Sequence, residues 1–166
     1  MIAAFLREVI RLRVVCCDSD ADLAERVAAA VRGYAQFSIF DDIEIEVVNR
    51  VAKLTGRVTA PLKKTDIAAR AARVDGVDRV IDDIEVLPVS QHDSNLRVRI
   101  ARAIYTNSTF WHYASMANPP IHIVVERGRV TLTGFVNSEV ERMMAYALAQ
   151  VDGAFSVTNR LRLDPR

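Results

Sequence analysis

Two stretches of the chain have the apolar pattern of a β-strand, and each is followed by a signal for a tight turn. Residues 43–47 alternate apolar with acidic side chains, and residues 121–125 are apolar at almost every position. Alternation is typical of a strand with one buried face. Asn-Arg at 49–50 and Arg-Gly at 127–128 tolerate positive φ angles. Each stretch is therefore predicted to continue through a hairpin into a second strand.

Apolar residues also recur with helical spacing ahead of each hairpin. The positions i, i+4 and i+8 are occupied by Leu23, Val27 and Val31 and again by Leu96, Ile100 and Ile104. This spacing predicts two amphipathic helices. Short polar residues, Ser19 or Asp20 in the first and Asp93 or Ser94 in the second, are suited to cap their first turns.

A second helix is predicted after each hairpin. In the second half of the chain it opens with a capping box at residues 138–141, and in the first half it opens near Pro61. The residues expected to form its core-facing stripe in the second half are Val140, Met144, Leu148 and Val151. Gly76 and Gly153 are expected to end the two helices in the left-handed conformation.

The two halves of the chain are copies of one unit. Residues 43–58 match residues 121–136 at an offset of 78, and Val-Asp-Gly at 74–76 recurs at 151–153. Ahead of the first strand the offset is 73, so about five extra residues fall around positions 110–120. The repeat predicts an α+β fold of two tandem αββαβ modules, each a three-stranded mixed sheet with two helices packed on one face.

Gly56 and Gly134 occupy the same place in the two copies, inside the second strand. A glycine within a strand indicates a bulge or the close approach of another backbone. We expect the close neighbour to be a packed helix.

The chain divides into an N-terminal amphipathic segment at 1–17 and two domains at 18–88 and 93–166. Helical spacing in the segment predicts a short amphipathic helix that packs on the protein or touches a membrane surface. Its charged residues prevent it from spanning a bilayer or forming the core of a secretion signal. Cys16 and Cys17 are adjacent, where a bridge is strained, so they indicate neither a disulfide framework nor a compartment.

Composition is that of a soluble globular protein, with 51% hydrophobic and 26% charged residues. The net charge of +1 hides an asymmetry, since residues 18–92 carry −4 and residues 93–166 carry +3. The two halves are therefore expected to meet different partners or to attract each other. This balance does not indicate nucleic-acid binding.

No arrangement in the sequence is typical of catalysis or of a metal site. His92, His112 and His122 are far apart and form no ligand spacing. Asp18-Ser-Asp20-Ala-Asp22 begins like a calcium loop but lacks its glycine and its bidentate glutamate, so helix capping explains these aspartates better. Neither a GxSxG elbow nor a phosphate-cradling glycine loop is present. We expect a protein that is not an enzyme and needs no cofactor or metal.

The order of strand, Leu-Thr-Gly-x-Val, helix, Val-Asp-Gly-Val and a strand ending at proline resembles the BON domain. The resemblance covers residues 20–88 and 93–165. The second copy departs from it at Ala154 and Phe155, where a valine is usual, and by the insertion. The resemblance implies a periplasmic or envelope-associated protein, often induced by osmotic or other stress, that binds anionic phospholipid, other envelope components or solutes.

One group of residues stands out as a candidate binding surface, on the first helix of the second copy and the insertion after it. Its members are Arg97, Arg99, Arg102, Tyr105, Phe110, Trp111 and Tyr113. Arginines beside amphipathic rings suit an anionic lipid surface. In the alternative interpretation, the aromatic residues pack over the sheet or between the domains while the arginines pair with acids of the first copy.

The leading hypothesis is a non-enzymatic envelope protein that binds anionic phospholipid or an envelope protein through its basic copy, without a transmembrane helix. Two alternatives remain open. One is a periplasmic chaperone-like protein that contacts unfolded clients through the insertion, and the other is a solute- or ion-sensing module.

Overall fold

The computed structural model describes residues 11–14 and 18–164. They form two units. The first takes in the chain up to Phe37 and Asp41–Leu87, and the second takes in Ser38–Phe40 and the chain from Pro88 onward. No helix in the described ranges is long and apolar enough to cross a membrane.

The first unit is a four-stranded mixed sheet with two helices. Its elements are β1 (Arg11–Val14), α1 (Asp18–Arg32), β2 (Asp42–Val48), β3 (Val51–Val58), α2 (Pro61–Ala72) and β4 (Arg79–Val86). The strand order is β1-β2-β3-β4, with an antiparallel hairpin in the middle and a parallel strand on each side. The predicted αββαβ module is confirmed, and β1 is added to it. The N-terminal helix predicted over 1–17 is wrong at 11–14, which form this strand, and otherwise lies outside the described residues.

The second unit repeats this architecture with differences in the insertion and the last strand. Its elements are α3 (Gln91–Tyr105), a 3₁₀ turn (Ser108–Phe110), α4 (Trp111–Ala114), β5 (Ile121–Glu126), β6 (Arg129–Val136), α5 (Glu139–Ala149), β7 (Ser156–Asn159) and β8 (Arg162–Leu163). Strand β6 pairs antiparallel with β5 and parallel with both β7 and β8. The last strand of the module is thus interrupted between Asn159 and Arg162. The α+β class and the tandem modules are as the sequence predicted.

Each unit has its own apolar core between its sheet and its helices. The helix residues predicted from i, i+4, i+8 spacing, namely Leu23, Val27, Val31, Leu96, Ile100 and Ile104, are all buried. Strand β2 alternates between buried and partly exposed side chains, so only one face of its sheet enters the core. The larger core residues include Ile43, Ile45 and Leu54 in the first unit and Phe110, Ile123 and Leu132 in the second.

A buried aspartate holds the hairpin turn of each unit. Asp20 accepts hydrogen bonds from the backbone N–H groups of Asn49 and Arg50, at 3.0 and 3.3 Å. Asp93 accepts from Arg127 and Gly128, both at 2.8 Å. The turn residues have positive φ angles, as the predicted tight hairpins require.

The predicted capping role of these aspartates is wrong because their carboxylates are occupied by the turns. In α3 the N-cap is Ser90, whose hydroxyl accepts a hydrogen bond from the Asp93 backbone N–H at 3.2 Å. The capping box of α5 is confirmed, with Ser138 accepting from the Glu141 N–H at 3.2 Å.

Gly56 and Gly134 are required by the neighbouring strand and not, as expected, by a helix. A Cβ on Gly56 would lie 2.0 Å from the carbonyl oxygen of Asp42, and one on Gly134 would lie 1.8 Å from that of Pro120. Both glycines also have positive φ angles, 122° and 107°.

The expected helix-ending role of Gly76 and Gly153 is also wrong. Helices α2 and α5 end at Ala72 and Ala149, and the two glycines lie in the turns that follow. Both have positive φ angles in those turns.

The outer edge of the first hairpin strand is paired with a strand in the first unit and donates a backbone hydrogen bond to a turn residue in the second. In the first unit β1 runs parallel to β2, with Leu12 opposite Ile45. In the second unit the N–H of Ile123, the residue that corresponds to Ile45, donates to the carbonyl of Ile39 at 2.7 Å. Pairing removes a free edge that would otherwise be open to another strand.

Candidate functional site

Of the seven predicted binding residues, Arg97, Phe110 and Tyr113 are buried in the second unit and Tyr105 is partly buried against its core. The Arg97 guanidinium is buried and donates to the carbonyl of Val125 at 2.6 Å. The Tyr105 hydroxyl donates to the carbonyl of Ile121 at 2.6 Å, and burial raises its pKa. Phe110 and Tyr113 are buried core residues. Phe110 and Tyr113 pack in the core as the packing alternative expected, whereas Arg97 binds the Val125 carbonyl of its own unit.

Tyr113 attaches the insertion to the start of α5. Its hydroxyl donates to the Glu141 carboxylate at 2.8 Å. The backbone N–H of Asn137 donates to the Tyr113 hydroxyl at 3.1 Å and to the Glu141 carboxylate at 2.9 Å. Burial, followed by the hydrogen bond to Glu141, raises the pKa of Tyr113. The contact keeps α4 against the N-terminal end of α5.

In the first unit the corresponding backbone N–H group has a different acceptor. There the N–H of Thr59, which corresponds to Asn137, donates to Asp41 at 2.9 Å, and Lys63 pairs with Asp41 at 2.6 Å. The second unit has Glu141 in place of Lys63 and uses the tyrosine of the insertion. The insertion therefore replaces a buried ion pair.

Arg99 combines a structural contact with an exposed position. Its guanidinium donates to the carbonyl of Asp152, just after α5, at 2.8 Å. Arg26, its counterpart in α1, donates to the carbonyl of Asp75 at 2.9 Å. The arginine thus ties the first helix to the end of the second helix in both units, and it shows that α3 and α5 are neighbours.

Arg102 and Trp111 are the predicted residues that remain fully at the surface. Arg102 is exposed and makes no side-chain hydrogen bond or ion pair within the part of the chain that the structure describes. Trp111 is 75% exposed on α4. The adjacent His112 ring lies 3.4 Å from the Asn137 side chain, which places α4 beside the start of α5.

Helix α5 exposes apolar side chains that were expected to face the core. Val140 and Met144 were predicted as part of the buried stripe, yet the residues that α5 buries are Ala145 and Ala149. The exposed fractions are 67% for Val140, 65% for Met143 and 36% for Met144. The predicted stripe is therefore wrong at Val140 and Met144 and right at Leu148 and Val151, which pack against the core.

We define the helical face as six exposed arginine and apolar residues of α3 and α5, two helices of the second unit that Arg99 shows to be neighbours. Its members are Val98, Arg99 and Arg102 of α3 and Val140, Met143 and Met144 of α5. Contacts in the first unit support this arrangement, since Tyr34 after α1 donates to Asp66 of α2 at 2.7 Å, and Asp66 corresponds to Met144. These six residues are apolar or cationic, and the exposed Glu139 beside Val140 is paired with Arg142 of the same helix.

The same positions in the first unit have a different character. They are occupied by Glu25, Arg26, Ala29, Leu62, Thr65 and Asp66. Two are acidic, and Asp66 is tied to Tyr34, whose pKa is raised by that hydrogen bond. Sequence reasoning missed Val98, Val140 and Met143 as surface residues. A position-by-position comparison of the copies would have found them, since Thr65 and Asp66 become two methionines.

Among the described residues, no group of three or more His, Cys, Asp or Glu side chains could hold a metal ion. What the site offers instead is a surface of apolar side chains with two guanidinium groups, which suits binding.

A sequence profile of the BON domain family matches residues 19–88 and 92–165. The chain belongs to the BON domain family. This family is linked to cell-envelope proteins, and its domains are known as non-catalytic binding modules. The first match covers the αββαβ part of the first unit without β1, and the second covers that of the second unit, so this BON protein carries two tandem copies of the domain.

Two solved structures are similar to this BON protein. One is CdsD, a structural protein of the type III secretion system of Chlamydia trachomatis, with 12% identity, a TM-score of 0.31, and coverage of 86% of this chain and 92% of that chain. The other is the C-terminal domain of CdsD, with 13% identity, a TM-score of 0.31, and coverage of 86% and 97%. No curated protein sequence matches the chain.

Proposed function

We propose that this tandem BON protein is a non-enzymatic envelope protein that binds anionic phospholipid membranes peripherally through the helical face. The observation that carries the proposal is the combination of Arg99 and Arg102 with four exposed apolar side chains on two adjacent helices. Guanidinium groups bind lipid phosphates, and apolar side chains enter the boundary between headgroups and acyl chains.

The proposal replaces the surface expected from the sequence with one that the fold exposes. Arg97, Phe110 and Tyr113 are withdrawn from it because they are buried, and Tyr105 because its hydroxyl binds the Ile121 carbonyl and its ring packs against the core. Arg99 and Arg102 remain, and Trp111 is exposed on α4 beside the start of α5. The periplasm is the compartment that we propose, since an envelope surface there presents anionic headgroups.

The first unit supports the proposal as a built-in comparison. At the six matching positions it has two acids, one arginine and one exposed leucine, so the same two-helix surface would be repelled by anionic lipid. We propose that the first unit serves as a scaffold or as a surface for a different partner.

Co-sedimentation with vesicles tests this function. Vesicles of phosphatidylcholine with and without phosphatidylglycerol are compared at low and moderate salt. We expect binding only with phosphatidylglycerol, and weaker binding as salt rises, because surface attraction is screened over about 10 Å at 0.1 M salt. Emission of Trp111, the single tryptophan, should shift to shorter wavelength on binding if the start of α5 approaches the membrane.

Variants of the helical face and matched variants of the first unit make the test specific. Arg102→Ala should weaken binding about fivefold, since one basic residue near an anionic surface contributes about 1 kcal/mol. Val140→Glu should weaken it further, whereas the matched changes Ala29→Glu and Leu62→Glu should have little effect. Equal binding to both vesicle types, or wild-type binding by Arg102→Ala and Val140→Glu, would contradict the proposal.

A second candidate is the binding of unfolded clients, and the exposed methionines favour it because their flexible side chains adapt to varied apolar partners. The contact surface would be the helical face, because Phe110 and Tyr113 of the insertion are buried. This function predicts that the protein suppresses aggregation of a model client, that salt has little effect, and that Arg102→Ala acts like wild type.

A further inference from the structure

Two adjacent methionines form the centre of the apolar part of the helical face. Met143 is 65% exposed and Met144 is 36% exposed on α5. The chain contains four methionines. Of the others, Met116 is partly buried against the core of the second unit, and Met1 lies outside the described residues. The two α5 methionines are therefore the most exposed methionines in the described ranges.

These methionines are not needed by the fold in the way that their counterparts are. In the first unit Asp66 accepts a hydrogen bond from Tyr34, and Arg70 stacks over the ring of Tyr34 at 5.1 Å. The corresponding residues of the second unit are Met144, Asn107 and Leu148, and Asn107 instead caps the 3₁₀ turn. The residues that α5 buries are Ala145 and Ala149, so the two methionines are not among its buried core contacts.

We infer that Met143 and Met144 are a methionine-oxidation site that switches the helical face from membrane-binding to soluble. This inference rests on the proposed lipid binding. In the reaction with a peroxide, a lone pair of the thioether sulfur attacks one peroxide oxygen, the O–O bond breaks, the sulfur gains that oxygen as a sulfoxide, and the peroxide is reduced to water.

The change in polarity accounts for the switch. An apolar methionine gains free energy when it leaves water, whereas a sulfoxide carries a polar oxygen and loses most of this gain. Two sulfoxides side by side should weaken vesicle binding about tenfold or more. Methionine sulfoxide reductases restore the thioether, so the switch is reversible. The arginines of the helical face keep their charge throughout.

The test begins with the site itself. The full chain is treated with hydrogen peroxide, and peptide mass mapping follows the gain of one oxygen at each methionine with time. Met143 and Met144 should react several times faster than Met116, which serves as the internal control. Equal rates at the three positions would overturn the assignment of a selective site.

Vesicle binding then tests the switch. Oxidised protein should bind phosphatidylglycerol vesicles about tenfold more weakly than untreated protein, and treatment with the reductases should restore binding. The double variant Met143→Leu/Met144→Leu is compared with itself, and its vesicle binding should be the same before and after peroxide because leucine is not oxidised. Circular dichroism before and after treatment confirms that the oxidised chain stays folded.

The outcomes separate the inference from the proposed function. If untreated protein fails to bind phosphatidylglycerol vesicles, the proposed function falls. If untreated protein binds and oxidised wild type binds equally well, or if the leucine variant loses binding after peroxide, the switch is overturned while lipid binding stands.

Discussion

The carboxylate of Asp93 accepts a hydrogen bond from the backbone N–H of Gly128 at 2.8 Å. A second bond, from Arg127, reaches the other carboxylate oxygen at the same distance. In the first unit Asp20 holds the turn at Asn49 in the same way. A residue at the start of the first helix thus fixes the hairpin, which lies 34 and 35 residues later in the second unit and 29 and 30 residues later in the first. It satisfies N–H groups that the turn leaves without partners.

Asp93→Ala should destabilise the second unit by about 3 kcal/mol. The change removes two hydrogen bonds to a charged acceptor, and two backbone N–H groups lose their partner. Each such bond contributes about 1.5–3 kcal/mol before relaxation and hydration. Urea unfolding of the full chain measures the effect. Asp152→Ala, which removes an exposed acid of the same unit, is the control. A change below about 0.5 kcal/mol for Asp93→Ala would show that water replaces the carboxylate.

Gly134→Ala should destabilise the second unit by about 3 kcal/mol or prevent its folding. A methyl group there meets the Pro120 carbonyl oxygen at 1.8 Å, and the φ angle of 107° is unfavourable for alanine. Gly33→Ala is the matched control, because its new Cβ would lie at an ordinary 3.4 Å from the Ala29 carbonyl oxygen. Thermal unfolding distinguishes the two, and similar melting temperatures would contradict the close approach of the strands.

Alkaline pH should weaken the second unit through Tyr105 and Tyr113. Both pKa values are raised above the usual 10.0, mainly by burial. The folded unit therefore favours the protonated phenols, so their contribution is complete below about pH 10 and is lost as the pH rises further. Urea midpoints at about pH 9 and pH 11 measure the loss. Tyr113→Phe should reduce this pH dependence, and an unchanged slope would argue against a role for its ionisation.

Replacing Arg99 should reduce the free energy of unfolding more than replacing Arg102. Arg99→Ala removes the hydrogen bond to the Asp152 carbonyl and should cost about 1 kcal/mol, as should Arg26→Ala in the first unit. Arg102→Ala should change stability by less than about 0.5 kcal/mol. Chemical unfolding of the three variants provides the comparison. Equal losses for the two α3 arginines would mean that Arg102 also supports the fold.

Most of the architecture was predictable because its signals are local. The strand alternation at 43–47, the helical spacing of Leu96, Ile100 and Ile104, and the turn at 127–128 each depend on a few neighbouring residues. The internal repeat strengthened each signal by showing it twice. These features gave the element types, their order and the BON resemblance.

The candidate site was less predictable because exposure depends on distant contacts. Phe110 and Tyr113 have the composition of a binding surface, and their burial follows from the way the insertion packs on the sheet and on Glu141. Val140 and Met144 have the spacing of a core stripe and are exposed, because α5 turns Ala145 and Ala149 toward the core instead. Helical spacing of apolar residues predicts that a helix is amphipathic more reliably than it predicts which residues face the core.

The sequence by itself determined that the protein is two copies of an αββαβ unit, since hydrophobic periodicity, turn residues and the internal repeat can be identified from the order of residues alone. Only the tertiary structure decided that Asp93 holds a hairpin and does not cap its own helix, and that Gly134 is needed by the carbonyl of Pro120. It also decided which side chains of α3 and α5 reach solvent. Each of these depends on residues brought together from far apart in the chain, where local pattern carries no information about the partner.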